Sequence, residues 1–314
     1  MQPAGDIMST KIFVLILAAL LLAAQSTESK MWFAWMPQSV GEANTEAGWL
    51  AGNVSEQGLV PFEMEPMEEI NLSRVAAGDY DPQLKAMFEN LRGRGISGRE
   101  LGILFIAPEP NNRGDPPKQY VAVFNHIGKL FKSYFPDGRP APLLDTSTQV
   151  SPGDYQYVPL LPYLEGIDTT IIDTVGIQGI AWLSPEGAAG SELDAQHILD
   201  HTVAIEAAKY LGVRNVVVNV GVPVSRWEKG EKIANLGFED WNRTLNGLLD
   251  QAIMIKEDLS VDGAALNYFG EDKSKTGEGL DFSIKGQKDP RFCQAFLDFV
   301  LKANEHGIII TVFE

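Results

Sequence analysis

The sequence predicts a (β/α)8 barrel on three observations. Apolar runs of strand length alternate with amphipathic helical stretches, the pattern of βαβ units and a parallel sheet. The strand candidates number eight, enough to close a ring. No Gly-rich phosphate loop follows the first strand candidate and GxxxxGK[ST] does not occur, while the one GxGxxG, Gly93 to Gly98, follows a helical stretch and not a strand, so the competing doubly wound open sheet lacks its usual phosphate loop.

Taken in order, residues 1–29 read as a signal peptide. Lys11 precedes an apolar run, residues 12–24, and small and polar residues follow through Ser29. Thirteen apolar residues fall short of the roughly 20 that span a bilayer, so a cleaved leader is expected. That implies a secreted, extracellular or periplasmic protein with no membrane attachment after cleavage. Residues 30–314 are then a single barrel domain, expected to be monomeric.

The first strand candidate of that domain, 31–37, carries Trp35, and the second, 59–66, carries Glu65 near its end. Leu84, Met87, Phe88 and Leu91 recur at helical spacing ahead of the third run, 101–107. That run is too continuous for a half-exposed strand and suits one buried on both faces. Tyr120, Val123, Phe124, Ile127, Leu130 and Phe131 mark the next helix. A short strand at 142–145 and a Pro- and Tyr-rich loop lead to the strand 176–182, which ends on Trp182. A helix over 194–211 stops at Gly212 and delivers 215–221, with Asn219 inside it. Helix 240–256 delivers 264–269, and helix 290–304 delivers 308–313, with Glu314 directly after it.

Composition narrows the chemistry. A formal net charge of −17 argues against nucleic acid and anionic membranes as partners and leaves a neutral or cationic substrate open. Cys293 is the one cysteine, so no intrachain disulfide or cysteine-rich metal site can form, and a buried thiol in a helix is expected. His197 and His201 have the spacing of a zinc pair on the 194–211 helix, but HExxH is absent and a solvated face is the expectation. No metal, nucleotide or flavin cofactor is called for by any motif.

Candidate chemistry gathers just past the strand ends. Residues beyond a barrel strand's carboxyl end line the active-site mouth, which puts Glu109, after the 101–107 run, where an acid/base could reach a ligand. Glu314 follows 308–313 in the same way. Trp35, Trp49, Tyr155, Trp182 and Trp227 are the aromatic candidates at loops or strand ends near such a mouth.

These residues stand in motifs that resemble glycoside hydrolase family 26, clan A barrels best known as β-mannanases, over residues 59–284. Ala77-Gly78-Asp79-Tyr80-Asp81 is similar to the family's "aG.yD", and Glu109 with Asn111 to its "HEmN". Asp173-Thr174-Val175-Gly176-Ile177-Gln178-Gly179 resembles "DwvGiDgY". Tyr268-Phe269-Gly270-Glu271-Asp272-Lys273 and Asp281-Phe282-Ser283-Ile284 resemble "yFn.dk…DW.i". The resemblance implies a retaining glycosidase with Glu109 as acid/base; Asn111, Asn219, Gln178 and Glu271 are then expected among the substrate-binding residues, with Trp182 and Trp35 among the aromatics expected to stack on a sugar ring.

Four positions depart from the pattern. Pro108 stands for the histidine before the acid, Gln178 and Ile180 for a second "D" and "Y", and Asn219 for the nucleophilic glutamate. An amide cannot attack an anomeric carbon and leave again as a carboxylate does. Glu65, Asp145, Glu186, Glu271 and Glu314 are the candidates to replace it. Glu314 carries a topological argument as well. The family's usual first strand has no counterpart between the leader and Trp32, and an extra strand stands at the other terminus. Residues 308–313 are therefore expected to close the barrel and turn Glu314 toward the mouth that Glu109 faces. The expected activity is glycoside hydrolysis on mannan-like or mixed-linkage β-glucan polysaccharide, with a non-catalytic carbohydrate-binding barrel as the alternative.

Overall fold

The computed structural model describes residues 72–93, 95, 97–98, 103–106, 110–145, 149–151, 154–155, 160–181, 183, 195–229, 231–258, 260–269, 279–284 and 287–313. Helices α1 (Leu72–Ala76) and α2 (Asp81–Gly93) precede β1 (Ile103–Phe105). Then come α3 (Pro110–Arg113), α4 (Pro117–Tyr134), β2 (Arg139–Ala141), β3 (Leu143–Asp145), a hairpin of β4 (Gln149–Ser151) and β5 (Asp154–Tyr155), and α5 (Leu161–Leu164). β6 (Thr174–Ile180), α6 (Ala195–Ile198), α7 (His201–Leu211) and β7 (Asn215–Gly221) come next. The chain continues through β8 (Ser225–Glu228), β9 (Glu231–Asn235), α8 (Phe238–Glu257), β10 (Gly263–Phe269), β11 (Gly279–Asp281), α9 (Pro290–Glu305) and β12 (Ile309–Phe313).

Strands β3, β6, β7, β10 and β12 form one parallel sheet in that order. β1 pairs in parallel with β2, and β2 runs into β3 through Pro142. The expected 142–145 strand is present as β3, and Pro142 separates it from β2, which was not expected. The proline has no N–H to donate, while its carbonyl still accepts from the Gly176 amide at 2.8 Å. One stretch thus pairs with β1 through residues 139–141 and with β6 through 143–145. From β1 to β12 the strands keep chain order without reversal, which is the progression of a singly wound barrel wall. A doubly wound sheet would step back past its first strand. β12 belongs to this sheet beside β10. The candidate strands 31–37 and 59–66, which closure would require, lie outside the described residues, as do the leader, Trp35 and Trp49.

The sheet has two unlike faces. Leu144, Val175, Ile177, Val216, Val218, Val220, Ala264 and Leu266 join the large core that includes the apolar faces of α4, α7, α8 and α9. Phe124, Phe131, Leu248 and Phe299 are among the helix residues that meet them, each at most 2% exposed. Alternation puts Leu143, Gly176 and Val217 on the opposite face. Gly176 is required there, because a Cβ would sit 2.4 Å from Phe105 Cε1 and 2.9 Å from Leu143 Cδ1. Gly179 answers the helical side, where a Cβ would stand 2.8 Å from the Ile198 carbonyl oxygen. Trp241, fully buried in α8, donates from Nε1 to the Val222 carbonyl at 3.1 Å and holds the exit of β7 against that helix.

Several expectations are corrected. The 194–211 helix is two helices, because the Asp200 side chain accepts from the Thr202 amide at 2.9 Å and caps a new start at α7. His197 and His201 therefore sit on separate helices, and the His201 ring bonds Gln251 Oε1 at 2.7 Å. Among the described residues no cluster suited to a metal ion occurs. Cys293 lies in α9 as expected but is only partly buried. The loop between residues 151 and 163 contains β5 and the start of α5.

Candidate functional site

Register brings together residues that lie 33 to 48 positions apart in sequence. Asp145 of β3 is level with Gln178 of β6, Gln178 with Asn219 of β7, Asn219 with Asn267 of β10, and Asn267 with Thr311 of β12. This is a row of polar residues crossing five strands near their carboxyl ends. The row one step toward the amino ends is wholly apolar: Leu144, Ile177, Val218, Leu266 and Ile310. Because Leu144, Ile177 and Val218 face the helices, Asp145, Gln178 and Asn219 share the other face. They are buried, with exposures of 3%, 3% and 0%. An apolar row would fill this layer without the desolvation cost that burying a carboxylate and two amides incurs.

Asn111 ties α3 to this row. It lies on α3, two residues after Glu109 in sequence, and its Nδ2 donates to the Asp145 carbonyl at 2.6 Å. Its Oδ1 accepts from the Asp145 amide at 3.1 Å. The side chain thus satisfies both backbone groups of Asp145, as a paired strand residue would, and it is only 5% exposed. The Asn111 amide is engaged with the end of β3.

Of the residues expected from sequence, Gln178 and Asn219 fall in the row and Asn111 holds its edge. Glu109, Glu314, Trp182, Trp35 and Glu271 lie outside the described residues. So do Glu65 and Glu186, which leaves Asp145 as the described carboxylate among the candidates for a replacement nucleophile.

Beyond the row stands a feature that sequence reasoning missed. The chain leaving β7 forms the hairpin β8–β9, and β11, beyond β10, pairs antiparallel with β8. Asp281, at the end of β11, locks this cap. Its carboxylate accepts from Ser225 Oγ at 3.2 Å and from the Ser283 amide at 2.9 Å, and its carbonyl accepts from the Val224 amide at 2.7 Å. Ser225 Oγ in turn accepts from Trp227 Nε1 at 2.9 Å, which fixes the indole. The hairpin had one signal, Lys229-Gly230 between two strand-length runs, with Lys229 at φ +50°. The pairing of β11 with a strand more than 50 residues earlier had none.

No protein-family profile matches this chain, and no curated protein does. Among solved structures it is similar to a family 1 β-glucosidase from Thermotoga maritima at 12% identity and a TM-score of 0.45, over 95% of this chain and 86% of that one. It is also similar to the hyperthermostable endo-1,4-β-D-mannanase of Thermotoga petrophila RKU-1 at 14% identity and 0.44, over 87% and 91%. A further structure of an endo-β-1,4-mannanase from Thermotoga petrophila gives 13% and 0.46, over 88% and 71%. Superpositions this loose assign neither fold nor activity.

Proposed function

We propose that this chain is a secreted glycoside hydrolase acting on β-linked polysaccharide, mannan-like or mixed-linkage glucan, with Glu109 as general acid/base. The observation that carries this reading is the buried polar row at the carboxyl ends of parallel strands in chain order. That is the end at which (β/α)8 enzymes hold substrate, and hydroxyl-rich ligands call for amide donors and acceptors in a shaped apolar wall. The resemblance to family 26 in the segments around Glu109, Gln178 and Asp281 agrees with it. Closure of the barrel by β12 and export through the leader at residues 1–29 belong to the same proposal.

In the retaining form of this chemistry, the acid gives its proton to the glycosidic oxygen as the bond from that oxygen to the anomeric carbon breaks. A second carboxylate takes the anomeric carbon as an ester, and water then releases the sugar with the first residue acting as base. Asn219 supplies no such carboxylate, so its amide is assigned to substrate hydroxyls, beside Gln178. Asp145 and Glu314 are the residues proposed for the second carboxylate. Asp145 stands in the row, and β12, parallel to β10, runs toward the same end immediately before Glu314. Trp35, Trp182 and Glu271 are proposed to line the remainder of the mouth.

The test is hydrolysis of β-mannan and mixed-linkage β-glucan by the full chain. Reducing ends should appear with the wild type and vanish in Glu109→Gln. Asn219 in the nucleophile's position favours one second reading, a barrel that holds glycan without cutting it. Retention on mannan with no products from the wild type would select that reading.

A further inference from the structure

A cavity of about 560 Å³ opens between the cap sheet and the first turns of α8 and α9. Its size lies within the roughly 300–1,000 Å³ of small-ligand sites. Trp227, Phe238 and Phe292 supply aromatic wall, and Lys232, Lys288 and Arg291 supply cations. Two carboxylates, Asp281 and Asp289, complete the charged lining. The lining is therefore formally positive, in a chain whose formal net charge is −17.

The pairing of these charges decides what the cavity can hold. Arg291 is occupied: it binds Asp289 through Nε and Nη2 and Glu239 through Nη1, and it lies 4.4 Å from the Phe238 ring centroid. Asp289 is held below the ordinary carboxylate range by that guanidinium. Asp281 accepts from Ser225 and Ser283 within the cap. Neither Lys232 nor Lys288 forms an ion pair among the described residues. Lys232 Nζ sits 5.3 Å from the Trp227 ring centroid, a weak cation–π contact that keeps the ammonium over the cavity wall without neutralising it. The first turn of α8 opens on the same space, with Gly237 as its cap and so no capping side chain of its own.

We infer that this cavity receives an acidic sugar unit, a uronic acid residue, carried by the glycan that the polar row binds. The inference rests on the function proposed above for that row. The indole, fixed by Ser225, offers apolar surface to a pyranose, and Lys232 and Lys288 meet its carboxylate with charge-assisted hydrogen bonds. The chain's overall charge opposes a polyanion. A mostly neutral polysaccharide with sparse acidic branches is different, because its charge lands only here. The cap is built from chain leaving β7 and beyond β10, so the cavity lies on the carboxyl side of the sheet, the side on which the row stands.

Calorimetric titration of the full chain tests this with three probes: glucuronate, glucose and inorganic phosphate. Glucuronate should bind, glucose should bind at least about tenfold more weakly, and Lys232→Met/Lys288→Met should remove that preference. Both lysines are exposed, so the double variant should keep the wild-type melting temperature. Trp227→Leu should weaken glucuronate and leave phosphate unchanged. Equal affinity for glucuronate and glucose overturns the inference, as does glucuronate binding that survives the double substitution. Phosphate binding as tight as glucuronate binding makes the site a general anion site and overturns it too. Asn219→Leu separates the two readings: it should leave glucuronate binding intact, so failure of the row as a glycan site does not masquerade as failure of this cavity.

Discussion

The two ends of the parallel sheet are finished with different chemistry. At the amino ends, charges meet in the open. Arg139 binds Asp173 and reaches Thr174 Oγ1, Asn215 Nδ2 donates to the Asp173 carbonyl, and Arg214 makes a two-pronged pair with Asp262. These contacts stitch β2, β6, β7 and the start of β10 together, and the carboxylates involved are about half exposed or more. At the carboxyl ends Asp145, Gln178 and Asn219 are turned into a buried layer where leucine would cost less. Exposed pairs are cheap to keep and contribute little. A buried row of amides costs stability, and that cost points to use.

The substitution with the largest expected effect tests whether the layer under the row is as tightly filled as the helical side. Gly176→Val drives a branched side chain into Phe105 and Leu143, and thermal unfolding should register a loss of about 3 kcal/mol. A loss below about 1 kcal/mol would mean that this face is loose and the row is not part of a packed wall.

Asn111→Ala should come next, at about 2 kcal/mol, because two buried backbone groups of Asp145 lose their partner. Denaturant melts read the stability, and any glycan binding should weaken further than that loss explains if Asn111 positions α3 against the row.

Acid titration sharpens the contrast from the other end. Asp168, ahead of β6, is pulled from 3.8 to about 2, first by the Thr170 hydroxyl and then by Lys129. A carboxyl depressed in the folded state stabilises above its unfolded pKa, and that contribution fades as pH falls through the folded value. Asp168→Asn should therefore lower the melting temperature at pH 5, with the difference closing between pH 4 and about 2. A difference that is constant across this range would remove the linkage.

The smallest effect belongs to Arg214→Gln. Its pair with Asp262 is exposed on both sides, so the loss should stay under about 1 kcal/mol and disappear in about 1 M salt. A larger, salt-resistant loss would mean that the amino end bears more of the stability than its exposure suggests.

How much of the molecule was legible in the sequence varied with distance along the chain. The alternation of strand and helix and the helical face around Phe124 could be read locally, and the membership of residues 309–313 in the sheet followed from counting strands. Gln178 and Asn219 drew notice as departures from a family pattern. Their alignment with Asp145, Asn267 and Thr311 could not be read, since register is set in space between strands more than 30 residues apart. The break at Asp200 was written in a capping residue and was overridden by the apolar periodicity running through it. The cap sheet was missed because its third strand pairs back across α8 and β10. Trp227 was named as an aromatic candidate, but the cations around it come from two separate segments, β9 and the start of α9.

The most direct test of the central claim, that the carboxyl-end row is a glycan site, is calorimetric binding of mannohexaose and a mixed-linkage glucan oligosaccharide to Asn219→Leu beside the wild type. The wild type should bind at least one of the two. The variant should lose about tenfold or more in affinity while melting within a few degrees of the wild type, since leucine suits a buried position. Undiminished binding by the variant, or no binding of either glycan by the wild type, would contradict the account.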